Sequence, residues 1–417
     1  MKTTSNINFY NHLLLFLIYL NSATILIPDK FKAWPIGLLL LTVIVRYLKL
    51  DIKPVLDTKK FIISISFFII LLLSIAYSSD IPFALKKVQT GSSLFVFPLI
   101  FYLIGGDKVL FTEKNIQTLK LTFLFSLVLF LVSTFFFFYF TEPFYTFKST
   151  LVHYTSLVDI RIKHYEIHSI YLSIYIGIAI IFTLSIIKKS EISLKKSLYF
   201  VLVLLIIFTA ILNKKGPIIS LVIVGIVFLV KNKFNYKQIL YISSISIILA
   251  LFVIYIPKYN NINRFEELFS LETNNDSSTG IRLQIYQCSL KKISQSPIFG
   301  YGWGDTKSVL NECYSEKNIN LLKRNYNSHN QFLSIFLSTG VLGCLSFLYY
   351  LFYVFKTSHK RESQVLFFLA LYFCLNMLTE NILEREDGVI VIALFINIFF
   401  FNSNKEGHIL SNNIPKA

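Results

Sequence analysis

Charged residues are scarce in this sequence, where they make up 15% of 417 residues, while 54% are hydrophobic and 16% are aromatic. A soluble domain carries about 25% charged residues, so the shortage excludes an ordinary soluble fold. The mean hydropathy of +0.62 is typical of a chain that crosses a membrane several times. The composition therefore predicts an all-α polytopic membrane protein.

Acidic residues are scarcer than basic ones, with 23 Asp and Glu against 40 Lys and Arg, which gives a formal charge of +17. The lysines are dispersed between apolar runs and form no basic stripe, so we expect no nucleic-acid partner. In a membrane protein such an excess indicates cytoplasmic loops that face anionic lipid. Membrane lipid is therefore an expected partner.

Motifs for metal and cofactor chemistry are also missing. The sequence has no metal-ligand spacing, no acidic pair of the kind that binds Mg²⁺, no Walker loop and no dinucleotide fingerprint. We therefore expect neither a metal nor a cofactor. Of four cysteines, Cys344 and Cys374 lie in apolar runs, whereas Cys288 and Cys313 share a polar loop. Their spacing leaves a disulfide between Cys288 and Cys313 open, because it fixes no distance between the two residues.

Apolar runs that reach or approach the length of a membrane span recur along the chain. They lie at 9–27, 35–48, 61–78, 92–105, 117–141, 168–187, 197–213, 217–230, 239–257, 330–355, 364–379 and 388–401. This pattern predicts about 12 transmembrane helices, and we interpret the first run as a retained span.

The loop charges predict the orientation of these helices. With a cytoplasmic N-terminus, every cytoplasmic loop carries cations, for example Arg46, Lys60, Lys188, Lys231 and Lys356. Both termini are then cytoplasmic. The predicted units are an N-terminal bundle at 1–257, a long structured periplasmic loop at 258–329, C-terminal spans at 330–401 and a tail at 402–417.

The long loop carries helix and turn signals. Ile281, Ile285 and Cys288 share one face of a predicted amphipathic helix that we expect to lie on the membrane. A glycine-rich turn follows at Gly300–Asp305, and Asp305 is expected to cap a shorter helix that starts at Thr306.

A histidine stands where this loop turns into the next apolar run. His329 could keep a ring nitrogen available to accept a proton, although an interfacial or capping histidine is the simpler interpretation. Gly340 follows eleven residues later, which on one continuous helix is the same face, and Gly343 is one turn further. Glycines there are expected to let another helix approach closely. His168 stands at another outer helix start and is a weaker candidate.

Cations collect on the same predicted side. Lys214 and Lys215 precede Pro217, which is expected to begin a helix, and helix N-termini attract anions. An interfacial anchor is the competing interpretation of these lysines. Arg282 offers a planar fork for phosphate oxygens. Glu380 ends a span on this side, and the charged residues 384–387 after it could be only a solvated loop.

The sequence resembles the O-antigen ligase family, which also contains O-antigen polymerases. His329-Asn330 followed by Gly340-Val341-Leu342-Gly343 fits the family's His-Asn…Gly-x-x-Gly signature, and Arg282 leading to Pro297-Ile298-Phe299-Gly300-Tyr301-Gly302 is similar to its second signature. The resemblance places the family's essential histidine on His329 and its loop arginine on Arg282. A further basic residue, usually arginine, falls on Lys215.

The resemblance implies metal-independent, inverting glycosyl transfer at the periplasmic face of a bacterial inner membrane. The donor would be an undecaprenyl-pyrophosphate-linked glycan and the acceptor lipid A–core. His329 would act as general base, with Arg282 and Lys215 on the pyrophosphate and with Lys214, Asn330, Glu380 and His168 binding substrate.

Two alternatives stay open. A polymerase of the same family would extend a growing glycan, but the arginine-then-glycine spacing of some polymerases is absent, since the eleventh residue after Arg161 is Leu172. A secondary transporter would also have about twelve spans, but the halves show no repeat and no charge lies deep within a span.

Overall fold

The computed structural model describes residues 2–50, 53–105, 107, 109–142, 146–161, 167–188, 191–232, 278–360 and 363–402. This part of the chain is helical and contains no β-strand. Its α-helices are α1 Lys2–Ala23, α2 Asp29–Lys49, α3 Thr58–Leu73, α4 Ile81–Gly91, α5 Ser93–Ile104, α6 Glu113–Thr141, α7 Phe147–Arg161, α8 Ser169–Ile187, α9 Ile192–Leu212, α10 Lys215–Lys231, α11 Ser278–Gln295, α12 Thr306–Lys317, α13 Ile319–Arg324, α14 Gln331–Lys360, α15 Gln364–Met377 and α16 Glu386–Phe401.

Within the described ranges, eight helical stretches are long and apolar enough to cross a membrane. They are Ile7–Leu26, Asp29–Lys49, Thr58–Tyr77, Ile81–Ile104, Glu113–Thr141, Ser169–Ile187, Ile192–Leu212 and Gln331–Lys360. Helices α10, α15 and α16 also lie on predicted spans but have 17, 14 and 16 residues. The predicted run at 239–257 lies outside the described residues. The all-α polytopic class is confirmed, and the number of about twelve spans stays a prediction.

Helices α8 and α16 form the centre of the bundle. Every residue from Asp387 to Phe401 in α16 is buried, and so is most of α8. A helix that is apolar on all sides is typical of a buried position in a core or in a membrane. Gly177 of α8 permits this packing, because a Cβ there would lie 2.1 Å from the Tyr372 hydroxyl of α15. These two central helices position the site, since each begins at the same end of the bundle.

That end, which we call the histidine end, contains the starts of α8, α10, α14 and α16 and the end of α15. Tyr171 donates to the Asn381 carbonyl at 3.5 Å, and Tyr175 donates to the Asp387 carbonyl at 3.2 Å. Lys32, buried at the start of α2, pairs with Asp387. A solvated loop at 384–387 was therefore the wrong interpretation for Asp387, which is buried because it neutralises Lys32.

At the opposite end of the bundle, Arg46 of α2 pairs with Asp107, and Lys188 donates to Asn232 at 2.9 Å. Lys60 of α3 lies 5.6 Å from the Phe400 ring centroid at the end of α16. These basic residues were predicted to share one side of the membrane, which stays a prediction, and each lies near the end of its helix that is away from the histidine end.

Helices α11 to α13 form a separate cluster over the histidine end. The predicted helix around Ile281, Ile285 and Cys288 is α11, but its apolar face packs against α12, where Leu310 and Cys313 are buried with Ile285 and Cys288. Cys288 and Cys313 form a disulfide with a Cα–Cα distance of 5.7 Å. The expectation that this face lies on the membrane was wrong, because the second helix covers it.

Helix α12 begins at Thr306 as predicted, but the side chain of Asp305 does not cap it. The carboxylate instead accepts the backbone N–H groups of Ser79 and Asp80 at 2.6 and 2.9 Å. Asp305 therefore ties the loop cluster to the connection between α3 and α4.

Helix α14 is not continuous. His329 precedes the helix with a φ of +45°, and Gly340 interrupts it with a φ of +61° and a ψ of −155°. The spacing had predicted that the two residues share one face of a regular helix, and this prediction was wrong. The glycine makes room for a loop and not for a helix, because a Cβ on Gly340 would lie 2.1 Å from the Ile298 carbonyl oxygen.

Candidate active site

Three side chains from three different elements meet at the histidine end. Arg282 of α11 places Nη2 2.8 Å from Oε1 of Glu380, which follows α15. The second carboxylate oxygen of Glu380 lies 3.5 Å from Nδ1 of His329. Sequence reasoning had proposed all three residues, and the structure brings them into one Arg282–Glu380–His329 chain.

The imidazole of His329 has one buried nitrogen and one accessible part. Nδ1 is buried and, among the described residues, makes no hydrogen bond within normal limits. The side chain as a whole remains 25% exposed, so its accessible surface belongs to the rest of the ring. The side chain of Glu380 is less exposed, at 15%. The arrangement suits a ring that faces the carboxylate with Nδ1 and solvent with its other nitrogen.

The backbone at His329 holds the ring in place. A positive φ is uncommon for a residue other than glycine and costs free energy, so the surroundings must enforce it. The His329 N–H donates to Asn327 Oδ1 at 3.1 Å, and the Tyr286 hydroxyl donates to the His329 carbonyl at 3.2 Å. The ring of Tyr326 lies 5.5 Å from the imidazole.

Asn330 links the start of α14 to the end of α15. Its Oδ1 accepts the N–H groups of Phe332 and Leu333 at 2.9 and 3.1 Å, which caps the helix. Its Nδ2 donates to the Leu378 carbonyl at 3.1 Å. Both polar atoms are therefore engaged within the protein, and the proposed contact of Asn330 with substrate stays a prediction.

The segment 378–385 is held against the start of α14 by side chains that sequence reasoning missed. Ser328 Oγ donates to Asn381 Oδ1 at 3.1 Å, and Gln331 Oε1 accepts the Leu383 N–H at 2.8 Å. Glu384 accepts hydrogen bonds from Ser334 and from Asn381. Polar residues clustered at 328–334 and 380–384 were the available signal, but only the fold shows that the two clusters are partners.

Lys214 and Lys215 begin α10 next to Glu380. The two segments are in close contact, as shown by the space at Gly216. A Cβ placed there would lie 2.6 Å from Oγ1 of Thr379, the residue before Glu380. Lys214 Nζ lies 3.8 Å from Oδ2 of Asp159. The N-terminus of α10 therefore lies beside the Arg282–Glu380–His329 chain.

His168 and Asp159 lie on the far side of Lys214. His168 Nδ1 is 3.9 Å from Asp159 Oδ1, and Asp159 also accepts the Ser169 N–H and hydroxyl, each at 2.8 Å. Burial lowers the pKa of His168, and nearby Lys214 and Arg385 lower it further, while Asp159 and Glu380 act in the opposite direction. These shifts show that His168, Lys214, Arg385 and Glu380 share one electrostatic environment. Asp159 was missed because nothing in its local sequence sets it apart.

Arg385 and Tyr286 complete the polar groups around this end of the bundle. The guanidinium of Arg385 lies 6.0 Å from the centroid of the Tyr171 ring. Burial raises the pKa of Tyr286, which keeps its hydroxyl protonated to donate to His329 and Leu378. Within the described ranges, no group of three or more potential metal ligands occurs. The site offers a proton acceptor and several cations that can hold an anion.

The fold and this site define a polytopic helical membrane protein with a cluster of polar and charged side chains at one end of its bundle. Residues 200–348 match the family model described as "O-Antigen ligase". The matched segment contains Lys215, Arg282, His329 and both glycines of the Gly-x-x-Gly signature. This segment of the chain is therefore similar to the O-antigen ligase family, which confirms the resemblance seen in the sequence.

A protein of Haemophilus influenzae (strain ATCC 51907 / DSM 11121 / KW20 / Rd), described as "Uncharacterized protein", is 27% identical over 246 residues. The alignment covers 54% of this chain and 59% of the relative. The chain thus spans less than two thirds of that relative's length.

Proposed function

We propose that this protein transfers a glycan from undecaprenyl pyrophosphate to a sugar hydroxyl of lipid A–core at the periplasmic face of the inner membrane. The observation that carries the proposal is the Arg282–Glu380–His329 chain beside the N-terminus of α10. It combines a base, which can take the proton of the attacking hydroxyl, with cations, which can stabilise the departing pyrophosphate.

His329 acts as the general base in this reaction. With the Nδ1–H directed to Glu380, the lone pair of Nε2 is free to take the proton of the acceptor hydroxyl. The acceptor oxygen attacks the anomeric carbon of the donor, and the bond from that carbon to the pyrophosphate oxygen breaks. Direct displacement inverts the configuration at the anomeric carbon. The carboxylate of Glu380 stabilises the imidazolium that forms.

Arg282 and Lys215 stabilise the pyrophosphate leaving group as its charge grows. The guanidinium has five N–H donors, so the hydrogen bond from Nη2 to Glu380 leaves others for phosphate oxygens. Lys215 is the first residue of α10, where the helix dipole adds to its own charge. Lys214 extends this positive region, and Lys214 and His168 bind the phosphates or the first sugar. Because none of these groups requires a metal, transfer should proceed in the presence of EDTA.

Two independent observations support the proposed orientation. Disulfides persist in oxidising compartments, so the Cys288–Cys313 bond supports a periplasmic position for α11 to α13. The basic residues of the opposite end, among them Arg46, Lys60 and Lys188, support a cytoplasmic position there. Both termini are then cytoplasmic, and the site faces the compartment in which the acceptor is found.

Deletion of the gene tests the proposal when the lipopolysaccharide is examined on a gel. A ligase predicts that long lipid-linked glycan accumulates while lipid A–core stays unmodified. Accumulation of glycan with a single repeat unit would instead identify a polymerase that extends a growing glycan. An unchanged gel would contradict both activities and favour a transporter of another pathway.

A further inference from the structure

The loop between α11 and α12 exposes apolar side chains at its tip. Ile298 and Phe299 are 56% and 60% exposed, and Pro297 before them is exposed as well. Consecutive exposed apolar residues are unfavourable in water unless another surface covers them. The position of this tip relative to the spans indicates what that surface is.

The tip lies beside α14 and not above it. The N–H groups of Tyr301 and Gly302 donate to the carbonyls of Leu337 and Ser338 at 2.8 and 2.9 Å. In return, the Val341 N–H donates to the Pro297 carbonyl at 2.9 Å. Gly340 is the tenth residue of α14, so these contacts lie about 13 Å along the helix. The loop therefore provides hydrogen-bond partners for backbone groups of α14 that have no partner within the helix because of the interruption at Gly340.

The same loop is bound to the last turn of the span Thr58–Tyr77. Trp303 and Gly304 donate their N–H groups to the hydroxyls of Ser74 and Ser78, each at 3.1 Å. The Tyr77 hydroxyl donates to the Phe299 carbonyl at 2.6 Å. Irregular backbone is tolerated at membrane depth only where its polar groups are paired, and these contacts pair the carbonyls of Pro297 and Phe299 and the N–H groups from Tyr301 to Gly304.

The exposed tip continues the lipid-facing surface of the neighbouring spans. Leu73 on α3 and Leu342 and Leu345 on α14 are exposed large apolar residues. Tyr77 lies one turn beyond Leu73, and the backbone of Phe299 lies against Gly340, two residues before Leu342. The tip thus has lipid-exposed neighbours on two spans.

We propose that Ile298 and Phe299 insert among lipid acyl chains at the outer edge of the bilayer core, so that residues 296–304 form a re-entrant membrane anchor. The anchor fixes the C-terminal end of α11 at the level of the lipid headgroups and so holds Arg282 over the membrane surface. This inference rests on the fold and does not depend on the proposed glycosyl transfer.

Site-directed spin labelling tests the anchor in the full chain. Cys344→Ser and Cys374→Ser remove the free cysteines and leave the Cys288–Cys313 disulfide in place. A nitroxide is attached at Phe299→Cys, and the protein is placed in nanodiscs of phosphatidylethanolamine and phosphatidylglycerol. Relaxation by oxygen, which concentrates among acyl chains, is compared with relaxation by a water-soluble nickel chelate. Leu345→Cys is the lipid-facing control, and Ile319→Cys, exposed on α13, is the water-facing control.

We expect the label at 299 to respond more to oxygen than to nickel, as at 345, and the label at 319 to show the reverse. A stronger response to nickel at 299 would place the tip in water and overturn the proposal. A weak response to both reagents would show that protein covers the tip, which also overturns it. If the Phe299→Cys variant elutes as an aggregate, the label is attached at Ile298→Cys instead, and we expect the same responses to oxygen and nickel there.

Discussion

Helix α14 has a histidine near each end, and helix α10 has a lysine at each end. His329 lies in a network with Glu380 and Tyr286, whereas His359, in the last turn of the same helix, is exposed. Lys215 begins α10 beside the Arg282–Glu380–His329 chain, whereas Lys231 at its other end lies 3.9 Å from the Phe367 ring centroid. The same residue types therefore have different surroundings at the two ends, and we propose a role in the reaction only for those at the histidine end.

The difference arises from what each end packs against. At the histidine end, cations meet the carboxylates of Glu380, Asp159 and Asp387. At the opposite end, Arg46 also pairs with a carboxylate, that of Asp107, but Lys231 lies over an aromatic ring, an arrangement common where a chain reaches the membrane surface. The paired ends of each helix supply matched controls for the predictions below.

Arg282→Ala should have the largest effect among the charge changes at the histidine end. We expect glycan transfer to fall by about 10²–10³-fold, because a preorganised donor to the leaving group is lost. Arg282→Lys should recover only part of the rate, since lysine lacks the planar fork. The control is Lys291→Ala on the same helix, where the lysine is exposed and pairs with Glu316 at 2.7 Å. Equal transfer rates in Arg282→Ala and Lys291→Ala would remove Arg282 from the site.

Gly340→Ala should destabilise the protein by about 1–3 kcal/mol or more, because its φ is left-handed and the new Cβ would meet the Ile298 carbonyl. Gly225→Ala in the middle of α10 is the matched control, since no atom lies within 4 Å of its Cβ position. We expect that change to stabilise by at most about 1 kcal/mol. Thermal unfolding in detergent measures both, and equal midpoints would contradict the docking of the loop on α14.

Lys215→Ala should lower transfer by about 10–100-fold, the loss expected for a hydrogen bond to a charged group. Lys215→Arg should retain most of the activity, because the charge at the helix start is kept. Lys231→Ala, at the other end of α10, should transfer at the wild-type rate. If Lys215→Ala also transfers at the wild-type rate, Lys215 is an anchor like Lys231, and the two ends of α10 do not differ in function.

His168 gives the smallest effect, which appears as a dependence of stability on pH. Burial lowers the pKa of this side chain in the folded protein, so the unfolded chain takes up the proton first as the pH falls below about 6.5. The stability contribution is therefore complete above that value and is lost as the pH falls through the folded pKa. His168→Asn keeps an α8 cap and should flatten this slope in thermal unfolding, whereas His359→Asn should leave it unchanged. Identical slopes in all three proteins would contradict the electrostatic coupling at His168.

The sequence was sufficient for the fold class and for several of the residues that the structure brings together, because apolar runs and helix starts are local signals. Arg282, His329, Glu380 and Lys214 were all proposed from such signals. The contacts among them are tertiary, since α11, α14 and α15 come from distant parts of the chain. Asp159 and Asn381 were missed for the same reason, and the interruption at Gly340 was missed because a glycine in an apolar run gives no sign of its φ.

The position of the loop cluster shows a further limit of sequence patterns. The apolar stripe of α11 indicated a helix correctly, but periodicity does not reveal which surface covers the stripe. Here α12 covers it, and the disulfide joins the two helices. The surface that faces lipid is instead the short tip at Ile298 and Phe299, where no periodic pattern exists.

The central claim is tested most directly by transfer in a purified system. Wild-type protein, His329→Ala and His359→Ala are each placed in nanodiscs with an undecaprenyl-pyrophosphate-linked glycan and lipid A–core, in the presence of EDTA, and the glycosylated acceptor is measured over time. We predict that the wild type and His359→Ala transfer at equal rates and that His329→Ala is slower by about 10²–10⁴-fold. Transfer by His329→Ala at the rate of His359→Ala would contradict the assignment of the general base.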